Sequence, residues 1–106
     1  MDITDWRKKI DEIDRKLVEL LNQRAQAAHE IGRLKRNTNM PIYEPDRERK
    51  VFENVKAISK GPLPSHELQH IFERIMDVMR KLQQEEIQAK PAATSGQTEF
   101  DLEVNE

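Results

Sequence analysis

The stretch that decides the fold is Thr4–Arg36, TDWRKKIDEIDRKLVELLNQRAQAAHEIGRLKR. It holds no proline and one glycine, Gly32. At about 100° per residue, Trp6, Ile10, Ile13, Leu17, Leu20, Leu21, Ala28 and Ile31 fall into one apolar stripe roughly 100° wide. That pattern predicts a single uninterrupted helix, which at 1.5 Å per residue would be about 50 Å long. A compact chain of 106 residues has a radius of gyration of only about 13 Å. The helix would therefore overhang any core that its own chain could build. A second copy of the same helix is the simplest cover, so the stretch predicts a homodimer of intertwined long helices.

Outward from this helix, glycine and proline mark the remaining elements. Asn37-Thr38-Asn39-Met40-Pro41 reads as a turn. Pro45 can open a second helix, which runs through Val51 and Val55 to about Ser59. Gly61-Pro62-Leu63-Pro64 ends it. Ser65 is a candidate N-cap for a third helix, reaching about Gln88, with Glu67 in its first turn. No strand-like alternation and no internal repeat occurs. The expected fold is all-α, three helices in one domain over residues 1–90. Residues 91–106 lack a helical period and read as a disordered tail.

Composition narrows the function. Charged residues are 36% of the chain, hydrophobic residues also 36%, and there is no cysteine. Zero cysteines exclude disulfides and thiolate metal sites. A formal net charge of −2 gives no field favouring nucleic acid. No apolar run has the roughly 20 residues of a membrane span, and the first ten residues lack a signal core. A cytoplasmic protein with no membrane or nucleic-acid partner is expected.

Some charge is phased inward. Arg24 and Lys35 lie within the apolar stripe of the first helix, whereas Arg7 lies on another face. Val51, Phe52, Val55 and Ile58 form the apolar face of the second helix, with Arg47, Glu48 and Glu44 on or beside it. Leu68, Ile71, Phe72, Ile75, Met79 and Leu82 form the stripe of the third, with Gln83 on its edge. Burying unpaired charge costs several kcal/mol, on the order that only a partner can offset. Three cations against one or two carboxylates leave positive charge over. A small dicarboxylate would neutralise it, since arginine grips carboxylates with two parallel hydrogen bonds. The bland reading is that long stems carry the charges out to solvent. It fits any one residue better than it fits Arg24, Lys35, Arg47, Glu48 and Gln83 together.

These residues also carry a resemblance. Arg7 precedes Ile10-Asp11-Glu12-Ile13-Asp14. Leu21 to Arg24, Ile31-Gly32-Arg33-Leu34-Lys35 and Pro45-Asp46-Arg47-Glu48-Arg49 follow. Over about residues 5–88 the chain resembles the AroQ-class, all-α (type II) chorismate mutases. The resemblance implies the Claisen rearrangement of chorismate to prephenate in the shikimate pathway, for phenylalanine and tyrosine synthesis, with no cofactor and no metal. It implies that Arg7 reaches the partner chain's site to bind a carboxylate. Arg24 and Arg47 would hold the substrate carboxylates, and Lys35 and Gln83 would hydrogen-bond the ether oxygen. Glu48 would accept from the ring hydroxyl. Glu44 stands where aspartate is frequent. Met79 stands where some members have serine, which removes a side-chain contact to a carboxylate. The alternatives are an isochorismate-pyruvate lyase of the same fold and a non-catalytic helical dimerisation or regulatory module.

Other features carry less. His66-Glu67-Leu68-Gln69-His70 matches the H-E-x-x-H zinc pattern, but its face lies opposite the apolar stripe and no third ligand follows. Gly32 costs about 1 kcal/mol relative to alanine within a helix. Close approach of another helix or a ligand would explain it, and so would simple tolerance. Trp6 reads as interface packing.

Overall fold

The structure, a computed structural model, describes residues 1–88. It contains α1 (Ile3–Lys35), α2 (Pro45–Ile58) and α3 (Ser65–Gln88), and no strand among the described residues. The expected tail at 91–106 lies outside the described residues.

Local chemistry sets the ends of each helix. Asp2 caps α1: its carboxylate accepts from the Asp5 amide at 3.0 Å, and the Asp5 carboxylate accepts from the Asp2 amide at 3.1 Å. This reciprocal box satisfies two amides that lack intrahelical partners. At the other end the chain leaves α1 through Asn37, whose φ of 67° is the left-handed conformation asparagine tolerates. Thr38 then donates its hydroxyl and its amide to the Lys35 carbonyl, at 2.6 and 3.0 Å. Pro45 opens α2, where its missing N–H is no loss. Ser65, expected as a cap, is already helical. The Pro64 carbonyl accepts from Glu67 and Leu68 and starts α3 instead.

α3 lies between the other two helices, packing on α1 along one side and on α2 along the other. It therefore needs two inward faces, and the single stripe read from sequence describes only one. Met76 belongs to the second face and is buried, whereas Ile71, placed in the stripe, is 48% exposed. Ile58 is 75% exposed, because the end of α2 runs past its packing partner. Among the described residues the buried apolar side chains are few: Ala28, Val51, Met76 and Met79. The molecule is long and flat, 54 × 34 × 15 Å, with a radius of gyration of 17.8 Å. A compact body of about 88 residues would have about 12 Å.

Gly32 fixes the α1–α3 spacing. A Cβ there would sit 2.8 Å from Glu86 Cβ and 3.1 Å from Gln83 Cα and its carbonyl oxygen. Close helix approach, rather than tolerance, is the reason for the glycine. Beside this contact the Glu86 carboxylate gathers His29 at 3.0 Å, Arg33 at 3.3 Å and Arg36 at 3.0 Å. Arg36 also donates to the Glu86 carbonyl at 2.6 Å. These bonds tie the last turn of α1 to the last turn of α3. Among the described residues no helix is long and apolar enough to cross a membrane.

Candidate active site

The turn after α1 folds the chain back on the buried end of Lys35. Its ammonium donates to the Pro41 carbonyl at 2.7 Å, to Glu44 Oε2 at 2.8 Å and to Gln83 Oε1 at 3.0 Å. An ammonium has three donors, so each one is used. Lys35 is 3% exposed, and no other charged residue is as buried among the described residues. The Gln83 carbonyl points at Lys35, which leaves the two amide hydrogens of Gln83 for other partners.

In front of this group lies a cavity of about 280 Å³. Arg24 on α1, Glu44, Arg47, Glu48 and Val51 at the start of α2, and Met76, Met79, Arg80 and Gln83 on α3 line it, with Ile31 and Ile42. Pro45 starts α2 so that Arg47 and Glu48 fall in its first turn, facing α3 across the cavity. On α3, Met76, Arg80 and Gln83 are spaced i, i+4, i+7 and share one face.

The electrostatics are uneven. Burial, and then the charge of Arg47, push the Arg24 guanidinium down from its ordinary value. Among the described residues nothing accepts a hydrogen bond from the side chain of either arginine. Glu44 is engaged by Lys35 and Glu48 by Arg80. The cavity therefore holds two neighbouring guanidiniums that no carboxylate of the described residues pairs with.

Of the residues predicted from sequence, Arg24, Glu44, Arg47, Glu48, Met79 and Gln83 come together around this cavity. Arg47 is exposed rather than buried, although it lines the cavity. Lys35 stands one layer behind, bonded to two lining residues. Arg7 is not brought to it: seventeen positions before Arg24 on the same helix is about 25 Å away. Met79 is 6% exposed and offers the cavity an apolar wall. Arg80 was missed by the sequence reading. The signal available was its i, i+3 spacing from Asp77, which pairs with it. His66 and His70 sit on the exposed start of α3, their rings edge to face at 6.4 Å with Glu67 between them. Among the described residues no three His, Cys, Asp or Glu side chains gather as a metal would require.

An all-α scaffold that sets two arginines, unpaired among the described residues, around a small cavity backed by a lysine and an amide defines a class of site whose chemistry suits a small anion. The chain belongs to the type II chorismate mutase family, whose pattern it matches over residues 6–84. It is 37% identical over 86 residues to the bifunctional chorismate mutase/prephenate dehydratase of Aquifex aeolicus, which covers 77% of this chain. The chain spans only 24% of that relative. Its fold matches a chorismate mutase of Thermus thermophilus with a TM-score of 0.75 at 30% identity, covering 77% of this chain and 93% of that one. A chorismate mutase of Helicobacter pylori, solved in complex with prephenate, also matches with a TM-score of 0.75, at 25% identity, covering 83% and 97%.

Proposed function

We propose that the chain is a cytoplasmic, homodimeric chorismate mutase, which rearranges chorismate to prephenate on the way to phenylalanine and tyrosine. The observation that carries this reading is the Arg24–Arg47 pair. Two guanidiniums line one cavity, one of them pushed down by burial and by the other, and neither has a protein acceptor among the described residues. A dicarboxylate relieves that repulsion and fills the cavity.

The reaction asks little else of the protein. The ether C–O bond breaks as the new C–C bond forms within one molecule, and no proton or electron leaves it. Rate enhancement then comes from holding the reactive shape and from fixed donors facing the oxygen that gains negative charge. Gln83 has its amide hydrogens without an acceptor among the described residues, and they can serve that oxygen while Lys35 occupies its carbonyl. Lys35 joins by exchanging one of its three bonds, and Glu44, at 41% side-chain exposure, is the partner best placed to yield. Glu48 accepts from the ring hydroxyl. Met79 gives packing where serine would give a hydrogen bond, so carboxylate binding rests on the arginines.

The second chain is supported by the exposed stripe of α1. Trp6, Ile10, Ile13, Leu17 and Leu21 are 40–55% exposed, too much apolar surface for a chain with so small a core. Dimerisation covers it and carries Arg7 to the partner's cavity, which its own helix cannot reach.

The test is loss of chorismate absorbance with purified protein, with products separated. Prephenate is the expected product. Absence of turnover at high protein concentration overturns the reading, and release of pyruvate from isochorismate without prephenate formation replaces it with the lyase.

A further inference from the structure

Arg80 is a cation of the cavity wall whose charge is already matched. Its guanidinium donates through one nitrogen to Glu48 Oε2 on α2 and through another to Asp77 Oδ1, one turn back on α3. Its central carbon lies 5.3 Å from the ring centroid of Tyr43, in the connection between α1 and α2. Three elements therefore meet at one planar group, the geometry for which arginine is suited and lysine is not. The hydrogen bond from Arg80 to Glu48 holds the guanidinium above its ordinary value, outweighing its partial burial. Arg24 and Arg47, by contrast, face the same cavity without an acceptor among the described residues. Two kinds of cation thus line one cavity, a free pair that suits anionic groups and a neutralised one tied to Glu48.

The Glu48 carboxylate shows the consequence. Oε2 is taken by Arg80, while Oε1 accepts no hydrogen bond from the described residues, and the side chain lines the cavity. A carboxylate on a flexible side chain spends much of its time in unproductive rotamers, and fixing one oxygen orients the other. We propose that Arg80 is a positioning residue: by gripping Glu48 Oε2, with Asp77 and Tyr43 bracing it from behind, it presents Glu48 Oε1 to a neutral hydroxyl of the bound substrate. Arg80 acts through Glu48 and not by touching the substrate. The inference rests on the mutase reading given above and adds to it the residue that sets hydroxyl recognition.

A double-mutant cycle on the full chain with chorismate tests it. Arg80→Met is expected to lower kcat/KM about tenfold in the native background, and less than about threefold when Glu48→Gln is already present. Arg80→Lys should recover part of the loss, since it keeps a cation but cannot bridge both carboxylates. Asp77→Asn, which loosens the brace without removing the cation, should give a smaller loss that also disappears in Glu48→Gln. Equal losses for Arg80→Met in both backgrounds, or no loss in the native one, overturn the assignment. If Arg80→Met does not fold, the Asp77→Asn and Arg80→Lys cycles decide by the same criterion. Native protein that does not form prephenate sinks the functional reading, whereas native turnover with an additive cycle sinks only the role of Arg80.

Discussion

Arg24 sits where a cation works against stability, a placement that the proposed ligand binding would explain. It is half-buried, burial and the charge of Arg47 both disfavour its cationic form, and no protein group among the described residues accepts from it. Replacing it with methionine keeps the stem and removes the charge. Arg24→Met should therefore raise the melting temperature while lowering kcat/KM about 10- to 100-fold, the usual cost of losing a charge-assisted hydrogen-bond pair. A fall in melting temperature would mean instead that the guanidinium stabilises the free protein. The inward phase of Arg24, Arg47, Glu48 and Gln83 was legible in the sequence, because helical periodicity assigns a face to every position. Arg80 was not. Its role depends on Glu48 and Tyr43, which are distant in sequence and become neighbours only when α2 crosses α3.

At the scale of the helices, the contact between α1 and α3 controls whether Lys35 and Gln83 meet. Gly32 lies one turn before Lys35, and it abuts the backbone of Gln83. A methyl group there gains about 1 kcal/mol of helix propensity. It also forces a contact of 2.8 Å with Glu86 Cβ, and overpacking of this kind costs about 1–3 kcal/mol. Gly32→Ala should therefore give a net loss of stability in chemical denaturation. It should also lower kcat, by moving Gln83 away from Lys35. A gain in stability with full activity would show that the two helices can part without consequence. The helices themselves, and their ends to within a residue or so, followed from proline, glycine and the apolar period. The sequence pattern did not reveal that α3 is packed on two sides, which is why Met76 was left out of its stripe and Ile71 was included.

At the scale of the whole molecule, an isolated chain has a deficit of core. Among the described residues its buried apolar side chains are four, and its longest helix shows a row of half-exposed large side chains. The proposed dimer would resolve this with a shared core, and it would also give Arg7 a site to serve. If two chains share their sites, neither Arg7→Ala nor Lys35→Ala chains alone should be active. Mixing them should restore about one intact site per mixed dimer. Mixtures that dimerise and remain inactive would show that Arg7 does not serve the partner.

The sequence by itself determined the helices, their faces and the surplus of inward positive charge, because each depends on the order of residues along one helix and on local geometry. Tertiary structure decided which of those charges stay free. It assigned Lys35 to a layer behind the cavity, with all three donors engaged, and it separated Arg24 and Arg47, unpaired among the described residues, from the neutralised Arg80. Pairing is a matter of distances between elements, and no pattern along a single helix encodes them. The high charged fraction of this chain thus divides into a solvated majority and a small inward set, and within that set the helix packing decides which members can receive an anion.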